Sequence, residues 1–251
     1  VAAGREDAAI LAPLVFATIF VSVFGCGFLV APLARGLKLS ETGPERLLVV
    51  GANPWSLGLA EALAKADIPV TIADTSWRRL KAARLAGHDV YYGEVLSESA
   101  DWRLEPSRFA SLLAVTPNDA YNALVCIEYA PEFGRSRVFQ LSGFDGPVDN
   151  GESEEDPRAI VYTARGRTAI RRGRGFDSLA RDWWAGWRFR TTTLSEEYTL
   201  EQCLSDDGET SDVILSRAAN GKIAICGPGK QPSATPGTVL IRFAPSEENG
   251  A

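Results

Sequence analysis

The residues from Ala8 to Ala34 pass without a single charged side chain. As a helix, these 27 residues would span about 40 Å, whereas the hydrocarbon core of a membrane is about 30 Å thick. Arg35 and Lys38 follow the run, and basic residues in that position favour a cytoplasmic C-terminal side. We therefore predict a transmembrane helix, with a buried helix of a large soluble protein as the alternative.

Charge and cysteine content exclude several classes of function. The net charge of −6 is opposite to the basic excess of nucleic-acid binders, so no nucleic acid partner is expected. Cys26, Cys126, Cys203 and Cys226 are too far apart to form a metal-ligand pair, and no metal site is predicted. His88 is the only histidine. Because no catalytic constellation can be assembled around it, we predict no catalytic residue and no enzyme. The chain contains no Met, so we expect it to be a fragment of a longer protein.

After Leu39, strand and helix patterns alternate. Short apolar runs predict strands at 47–50, 70–73, 88–94, 112–115 and 137–141. Helical spacing of apolar residues predicts helices between them, at 56–66, 76–87 and 120–130. Strands that alternate with helices predict right-handed crossovers and a doubly wound parallel sheet, an α/β fold.

The C-terminal part has a different pattern. The runs "GWRFRTTTL", "DVILS", "KIAIC" and "TVLIRF" are short and separated by Gly, Pro and Asn, which predicts a small β-rich subdomain. An acidic, Gly-rich stretch at 142–158 is interpreted as a surface loop or a domain boundary. The predicted domains are 1–39 (the terminal transmembrane helix), 40–145 (the parallel-sheet domain), 146–185 (a linker with a basic segment) and 186–251 (the β-rich subdomain).

The basic segment places five arginines close together: Arg165, Arg167, Arg171, Arg172 and Arg174. Arginine clusters bind phosphate or lipid headgroups. The alternative is a solvated basic face that balances the acidic loop before it.

Three features fall at the carboxyl edge of the predicted sheet, where such sheets bind ligands. Gly51 ends the first strand, and Asp74 ends the second one 23 residues later, where an acid can bind ribose hydroxyls. Thr116 and Asn118 follow the fourth strand and can reach the same crevice. Gly51 could instead serve only the tight turn, and Asp74 could cap the next helix.

The loop after Gly51 departs from a dinucleotide fingerprint. Asn53 and Ser56 stand where glycines would let a pyrophosphate approach, and Pro54 lacks an amide donor. Pro54 also suits the first turn of a helix capped by Asn53. These residues favour a mononucleotide, a nucleoside or no ligand over NAD.

The order of these parts resembles the C-terminal end of bacterial monovalent cation:proton antiporters. "FATIFVSVFGCGFLVAPLARGLKLS" resembles the last membrane helix of that family. "LLVVGANPWSLGLAEAL", "VTIADTSWRRLKAARLAG", "YYGE" and "LLAVTPNDAYNALV" are similar to potassium-conductance regulator (RCK) domains of the TrkA N-terminal type, which are Rossmann-like. "GWRFRTTTLSEEYTLEQCL" is less specifically similar to the small domain that follows.

The resemblance implies a set of ligand contacts and a cellular role. The implied cofactor-binding residues are Gly51, Asp74, Gly93 and Thr116, with Asn53 in the same loop, and the implied ligand is a mononucleotide or NAD. The implied role is the cytoplasmic regulatory end of an antiporter that exchanges Na⁺ or K⁺ for H⁺. Its partners would be an upstream transmembrane transport domain, the lipid bilayer of the inner (plasma) membrane and a second copy in a homodimer. The alternatives are the regulatory end of a potassium channel or uptake system and a membrane-anchored nucleotide-dependent enzyme.

Overall fold

The computed structural model describes residues 3–36, 45–141, 164–171, 173–206, 211–228 and 232–246. The chain divides into two compact units, Val1–Gly43 and Pro44–Ala251. The acidic loop predicted at 142–158 lies outside the described residues.

The first unit contains one long helix, α1 (Ala3–Gly36). Its 34 residues correspond to a length of about 51 Å. The segment Leu11–Leu29 has a mean hydropathy of 2.1, and its large apolar side chains are exposed. The hydroxyls of Thr18 and Ser22 donate to carbonyls one turn earlier in the helix, at 2.8 and 2.9 Å. The predicted apolar helix is confirmed, and it is long and apolar enough to cross a membrane.

The second unit is built on a six-stranded parallel sheet in the order β3-β2-β1-β4-β5-β6. Its strands are β1 (Arg46–Val50), β2 (Val70–Asp74), β3 (Asp89–Tyr92), β4 (Phe109–Ala114), β5 (Val138–Gln140) and β6 (Arg167–Thr168). The strand order reverses between β1 and β4, so the prediction of a doubly wound, Rossmann-like sheet is confirmed.

Helices cover both faces of this sheet: α2 (Pro54–Lys65), α3 (Trp77–Leu85), α4 (Glu98–Leu104) and α5 (Asp119–Phe133). Alternate residues of β1 point to opposite faces, as the two-residue period of a strand requires. Leu47 and Val49 pack with α2 and α3, whereas Leu48 and Val50 pack with α4 and α5. Because β1 is buried on both faces, its sequence is a continuous apolar run.

The C-terminal part forms a second sheet, which is antiparallel and has the order β7-β10-β8-β9. Its elements are α6 (Phe176–Trp184), β7 (Trp187–Thr193), α7 (Leu200–Asp206), β8 (Asp212–Arg217), β9 (Ile223–Ile225) and β10 (Val239–Pro245). The four predicted apolar runs are these four strands, so the prediction of a β-rich C-terminal part is confirmed.

The two sheets share one hydrophobic core on the α2 side of the parallel sheet. Phe243 of β10 is fully buried and packs edge-on against Trp55 of α2, with ring centroids 6.2 Å apart. Gly58 lets Trp183 of α6 lie directly on the backbone of α2, since a Cβ at this position would be 2.4 Å from the indole ring. The second sheet is therefore packed against the helix that follows β1.

Candidate functional site: a cleft at the carboxyl edge of the parallel sheet

The turn after β1 requires a glycine. Gly51 has a φ of +113° and donates its N–H to the carbonyl of Ala73 at 2.8 Å. A Cβ at this position would lie 3.0–3.1 Å from atoms of Val115 and Thr116, which directly follow the neighbouring strand β4. Both the dihedral angle and the close approach exclude larger residues. Gly51 therefore has a structural role, whether or not a ligand is bound.

The departures from the dinucleotide fingerprint form a helix cap. The Asn53 side chain accepts the Ser56 N–H at 2.9 Å, and the Ser56 hydroxyl accepts the Asn53 N–H at 2.9 Å. This is a reciprocal capping box, with Pro54 in the first turn of α2. A bound pyrophosphate normally receives hydrogen bonds from such loop amides. Here the amides of Asn53 and Ser56 are already engaged, and Pro54 has none.

Asp74 accepts hydrogen bonds from three directions. Its carboxylate accepts the N–H of Ala52 at 2.8 Å and that of Ser76 at 2.7 Å. Arg79 adds Nη2 at 2.6 Å and Nε at 3.0 and 3.2 Å. Burial disfavours the charged form, but the bonds from Arg79, Ala52 and Ser76 outweigh it and hold the pKa of Asp74 below its ordinary value. Ser76 occupies the N-cap position of α3, so the bond from its N–H to Asp74 anchors the start of that helix.

A cleft of about 210 Å³ opens beside these residues. It is lined by Val50, Gly51, Ala73, Asp74, Thr75, Arg79, Gly93, Glu94, Val95, Thr116, Pro117, Asn118 and Tyr121. Four of the five predicted binding residues are thus brought together: Gly51, Asp74, Gly93 and Thr116. Asn53 is not among the lining residues, because its side chain caps α2 and donates to the carbonyl of Val115 at 3.0 Å. Ligand binding by these residues stays a prediction.

Thr116 is held in place by a buried asparagine that sequence reasoning missed. The Thr116 hydroxyl donates to Asn122 Oδ1 at 2.6 Å, and Asn122 Nδ2 donates to the Thr116 carbonyl at 2.9 Å. Asn122 is fully buried in the first turns of α5. Asn122 could have been recognised from the sequence as a polar residue on the apolar side of the helix predicted at 120–130.

Sequence reasoning also missed three side chains of the cleft: Arg79, Glu94 and Tyr121. The Tyr121 hydroxyl donates to Glu94, and burial together with this carboxylate raises the pKa of Tyr121. Among the charged side chains that line the cleft, two are carboxylates and one is a guanidinium. This charge balance disfavours a ligand with several phosphates.

The carboxyl edge of the other half of the sheet is covered. A dinucleotide uses both halves of a doubly wound sheet, one for each mononucleotide. Here β4 and β5 lead into Val115 and Leu141, which are buried beneath Leu179 and Trp183 of α6. The remaining cavity there is about 30 Å³. Of these two cavities, the cleft beside Asp74 is the larger.

The histidine and the described cysteines lie outside the cleft. His88 comes just before β3 and is half-buried. Cys126, Cys203 and Cys226 are buried, and burial raises the pKa of Cys126 to about 12. Among the described residues, no group of three or more metal-ligating side chains is present.

The arginine segment provides internal ion pairs. Arg174 pairs with Asp212 at 2.6 Å and with Asp182 at 2.5 Å, and its side chain is only 11% exposed. Arg171 pairs with the same Asp212 at 2.7 Å. For Arg174, both interpretations from the sequence were therefore wrong, because its charge is neither solvated nor presented to a phosphate or lipid. Arg172 lies outside the described residues.

Comparison with known proteins gives a family match for the first half of the second unit. Residues 47–139 match the family model of the TrkA-N domain. The TrkA-N domain of inner membrane protein ybaL from Escherichia coli is similar at 19% identity and a TM-score of 0.38, over 41% of this chain and 77% of that chain. A comparison with curated protein sequences gives no significant match.

Two structures of GsuK cover more of the chain. The GsuK channel bound to NAD is similar at 15% identity and a TM-score of 0.39, over 81% of this chain and 37% of that chain. The GsuK RCK domain is similar at 17% identity and a TM-score of 0.39, over 81% of this chain and 44% of that chain. The chain thus spans less than half the length of either GsuK chain. Residues 47–139 are similar to TrkA-N domains, in a chain whose N-terminal helix is long and apolar enough to cross a membrane.

Proposed function

We propose that this chain is the cytoplasmic regulatory end of a membrane cation:proton antiporter and that its cleft senses a ribonucleoside or a mononucleotide. One observation carries the first part: a helix of membrane-spanning length, Leu11–Leu29, precedes a domain that matches the TrkA-N model in the same chain. A soluble regulator joined to a membrane helix in this way acts on a transport domain in the membrane. The role is sensing, with no catalytic step.

The ligand class follows from the cleft. The amides of Asn53 and Ser56 are engaged in the cap, so a pyrophosphate would find few donors there. The second half of the carboxyl edge lies under α6. The open part of the edge combines Asp74, Thr116 and Tyr121, which offer acceptors, donors and an aromatic ring to a sugar and a base.

Regulation requires a ligand with different affinities for two states of the transporter. We propose that the occupied and empty clefts favour different arrangements of two copies of the chain in a homodimer. The membrane part would then be biased between its states at the inner membrane.

The transport assignment is tested by reading the gene upstream of Val1 and counting the membrane segments that it encodes. Ten or more helices, with aspartates near the middle of two or three of them, would support the antiporter. One or two helices with a filter-like loop would instead assign the chain to a potassium channel. A start codon directly before Val1 would contradict both transport assignments.

The ligand assignment is tested by calorimetric titration of the 251-residue chain in detergent with adenosine, AMP and NAD⁺. We expect saturable binding of adenosine or AMP, and weaker binding of NAD⁺. The Asp74→Asn variant should lose the binding of adenosine and AMP. The Asp89→Asn variant should keep it, because Asp89 begins β3 at the opposite end of the sheet. Tighter binding of NAD⁺ than of both smaller probes would contradict the proposed ligand class.

A further inference from the structure

The carboxylate of Asp74 has little hydrogen-bonding capacity left for a ligand. A carboxylate has about four lone-pair sites. The amides of Ala52 and Ser76 use two of them, and the guanidinium of Arg79 binds both oxygens through Nε and Nη2. The Asp74 side chain is 5% exposed. A ribose diol could therefore bind Asp74 only in place of one of these donors.

The three donors differ in how easily they can leave. Ala52 and Ser76 donate from backbone amides that are fixed by the turn after β1 and by the start of α3. Arg79 donates from a long side chain that is 53% exposed and lines the cleft. Its guanidinium can rotate into water without any movement of the backbone. Among these donors, Arg79 is the one that a ligand can displace.

We propose that Arg79 occupies the position of the ligand's ribose hydroxyls on Asp74 and thereby sets the affinity and the sugar specificity of the cleft. This inference rests on the proposed ribonucleoside site. In the empty cleft, the two N–H groups of Arg79 take the place of two hydroxyl donors. A ligand with vicinal hydroxyls replaces them, and a ligand without hydroxyls cannot.

The competition has a measurable consequence. When the competent state is only partly populated, the apparent dissociation constant rises by the inverse of that fraction. Removal of the Arg79 side chain makes every molecule competent. If the arginine is displaced in about one molecule in ten, the affinity for a diol should increase about tenfold in its absence. The gain should depend on the hydroxyls of the probe.

The test compares adenosine with 2′,3′-dideoxyadenosine, two uncharged probes, in calorimetric titrations of the full 251-residue chain in detergent. Arg79→Ala should bind adenosine more tightly than the unmodified chain, by about tenfold if the arginine is displaced in about one molecule in ten, and should leave the affinity for dideoxyadenosine unchanged. Arg78→Ala is the matched control, because Arg78 is the exposed neighbour on α3. Arg79→Gln keeps one donor and should give an intermediate gain, which also provides a test if Arg79→Ala does not fold.

Each remaining outcome overturns a defined part of the proposal. Unchanged or weaker adenosine binding by Arg79→Ala, with binding by the unmodified chain, would overturn the role of Arg79 and leave the ribonucleoside site standing. Equal gains for both probes would show that Arg79 does not compete with hydroxyls. No binding by the unmodified chain or by the folded variants would overturn the ribonucleoside site and the role of Arg79 together.

Discussion

The side-chain amide of Asn53 joins two elements that are 62 residues apart in the chain. Its nitrogen donates to the carbonyl of Val115 at 3.0 Å, and its oxygen accepts the N–H of Ser56 at 2.9 Å. One residue thus caps α2 and fastens it to the chain that leaves β4. Asn53 stands where a dinucleotide-binding loop would have a glycine, and here it connects α2 to the chain that follows β4.

Replacement of Asn53 by Ala should lower the free energy of unfolding by about 1–2 kcal/mol for the lost cap and by a further ~1 kcal/mol for the lost bond to Val115. Asn118→Ala is the matched control, since Asn118 caps α5 through a similar bond to the Tyr121 N–H at 3.0 Å. Urea unfolding, monitored by tryptophan fluorescence, measures the unfolding free energy of both variants. All six Trp residues lie between 55 and 187, so the signal reports on the second unit. If both variants lost the same unfolding free energy, the bond from Asn53 to Val115 would contribute nothing beyond the helix cap, which would contradict this prediction.

Gly58→Ala should destabilise the second unit, although Ala is normally the better helix former. The added Cβ would lie 2.4–2.5 Å from the ring of Trp183, and such overpacking costs about 1–3 kcal/mol. The double variant Gly58→Ala, Trp183→Leu should lose less than the sum of its single variants. Glu61→Ala, on the exposed side of α2, controls for helix propensity. A rise in stability for Gly58→Ala would refute the close packing.

The two ion pairs of Asp212 should contribute unequally to the stability of the protein. Arg174→Ala leaves Asp212, whose side chain is fully buried, with Arg171 alone, and should cost about 3–5 kcal/mol. Arg171→Ala should cost no more than ~1 kcal/mol, because that side chain is 53% exposed. Burial raises the pKa of Asp212, and the two arginines only partly oppose this. Denaturant unfolding ranks the two variants, and equal costs would be inconsistent with this geometry.

Asp74 should make stability depend on pH in the acid range. Its folded pKa is lower than the ordinary value, because the bonds from Arg79, Ala52 and Ser76 outweigh burial. The ionised Asp74 therefore contributes fully to the unfolding free energy above its pKa in the unfolded chain, about 4. This contribution is lost as the pH falls through its pKa in the folded protein. The unfolding free energies of the unmodified chain and Asp74→Asn should converge as the pH falls below about 4. A difference that is constant over this range would rule out the contribution.

The alternation along the chain was sufficient to predict five of the six strands of the parallel sheet, whereas the two-residue strand β6 was missed. Runs such as Leu47–Val50 are apolar at every position because strands buried on both faces have no polar side, and this pattern is short and local. The helix α4 (Glu98–Leu104) was missed, since it has seven residues and no helical stripe of apolar side chains long enough to recognise. The stabilisation of such a helix comes from packing, and packing partners are distant in sequence.

The site was predictable only where position in the fold determines it. Gly51, Asp74 and Thr116 follow three strands, so the topology alone brings them to one edge. Arg79 was missed because its role depends on the direction of a long side chain from the first turn of α3. The pairing of Arg174 with Asp212 joins residues 38 positions apart, and a charge pattern does not reveal such a pair.

The common core of the two sheets has a practical consequence for dividing this protein into modules. Phe243, near the end of the last strand, packs with Trp55 and Phe189 in the interior. A truncated chain that stops after β5 would lack Phe189 and Phe243 and would therefore expose Trp55 and the outer side of α2 to water. A fragment designed to carry the cleft into another protein should therefore extend through Pro245, the last residue of β10.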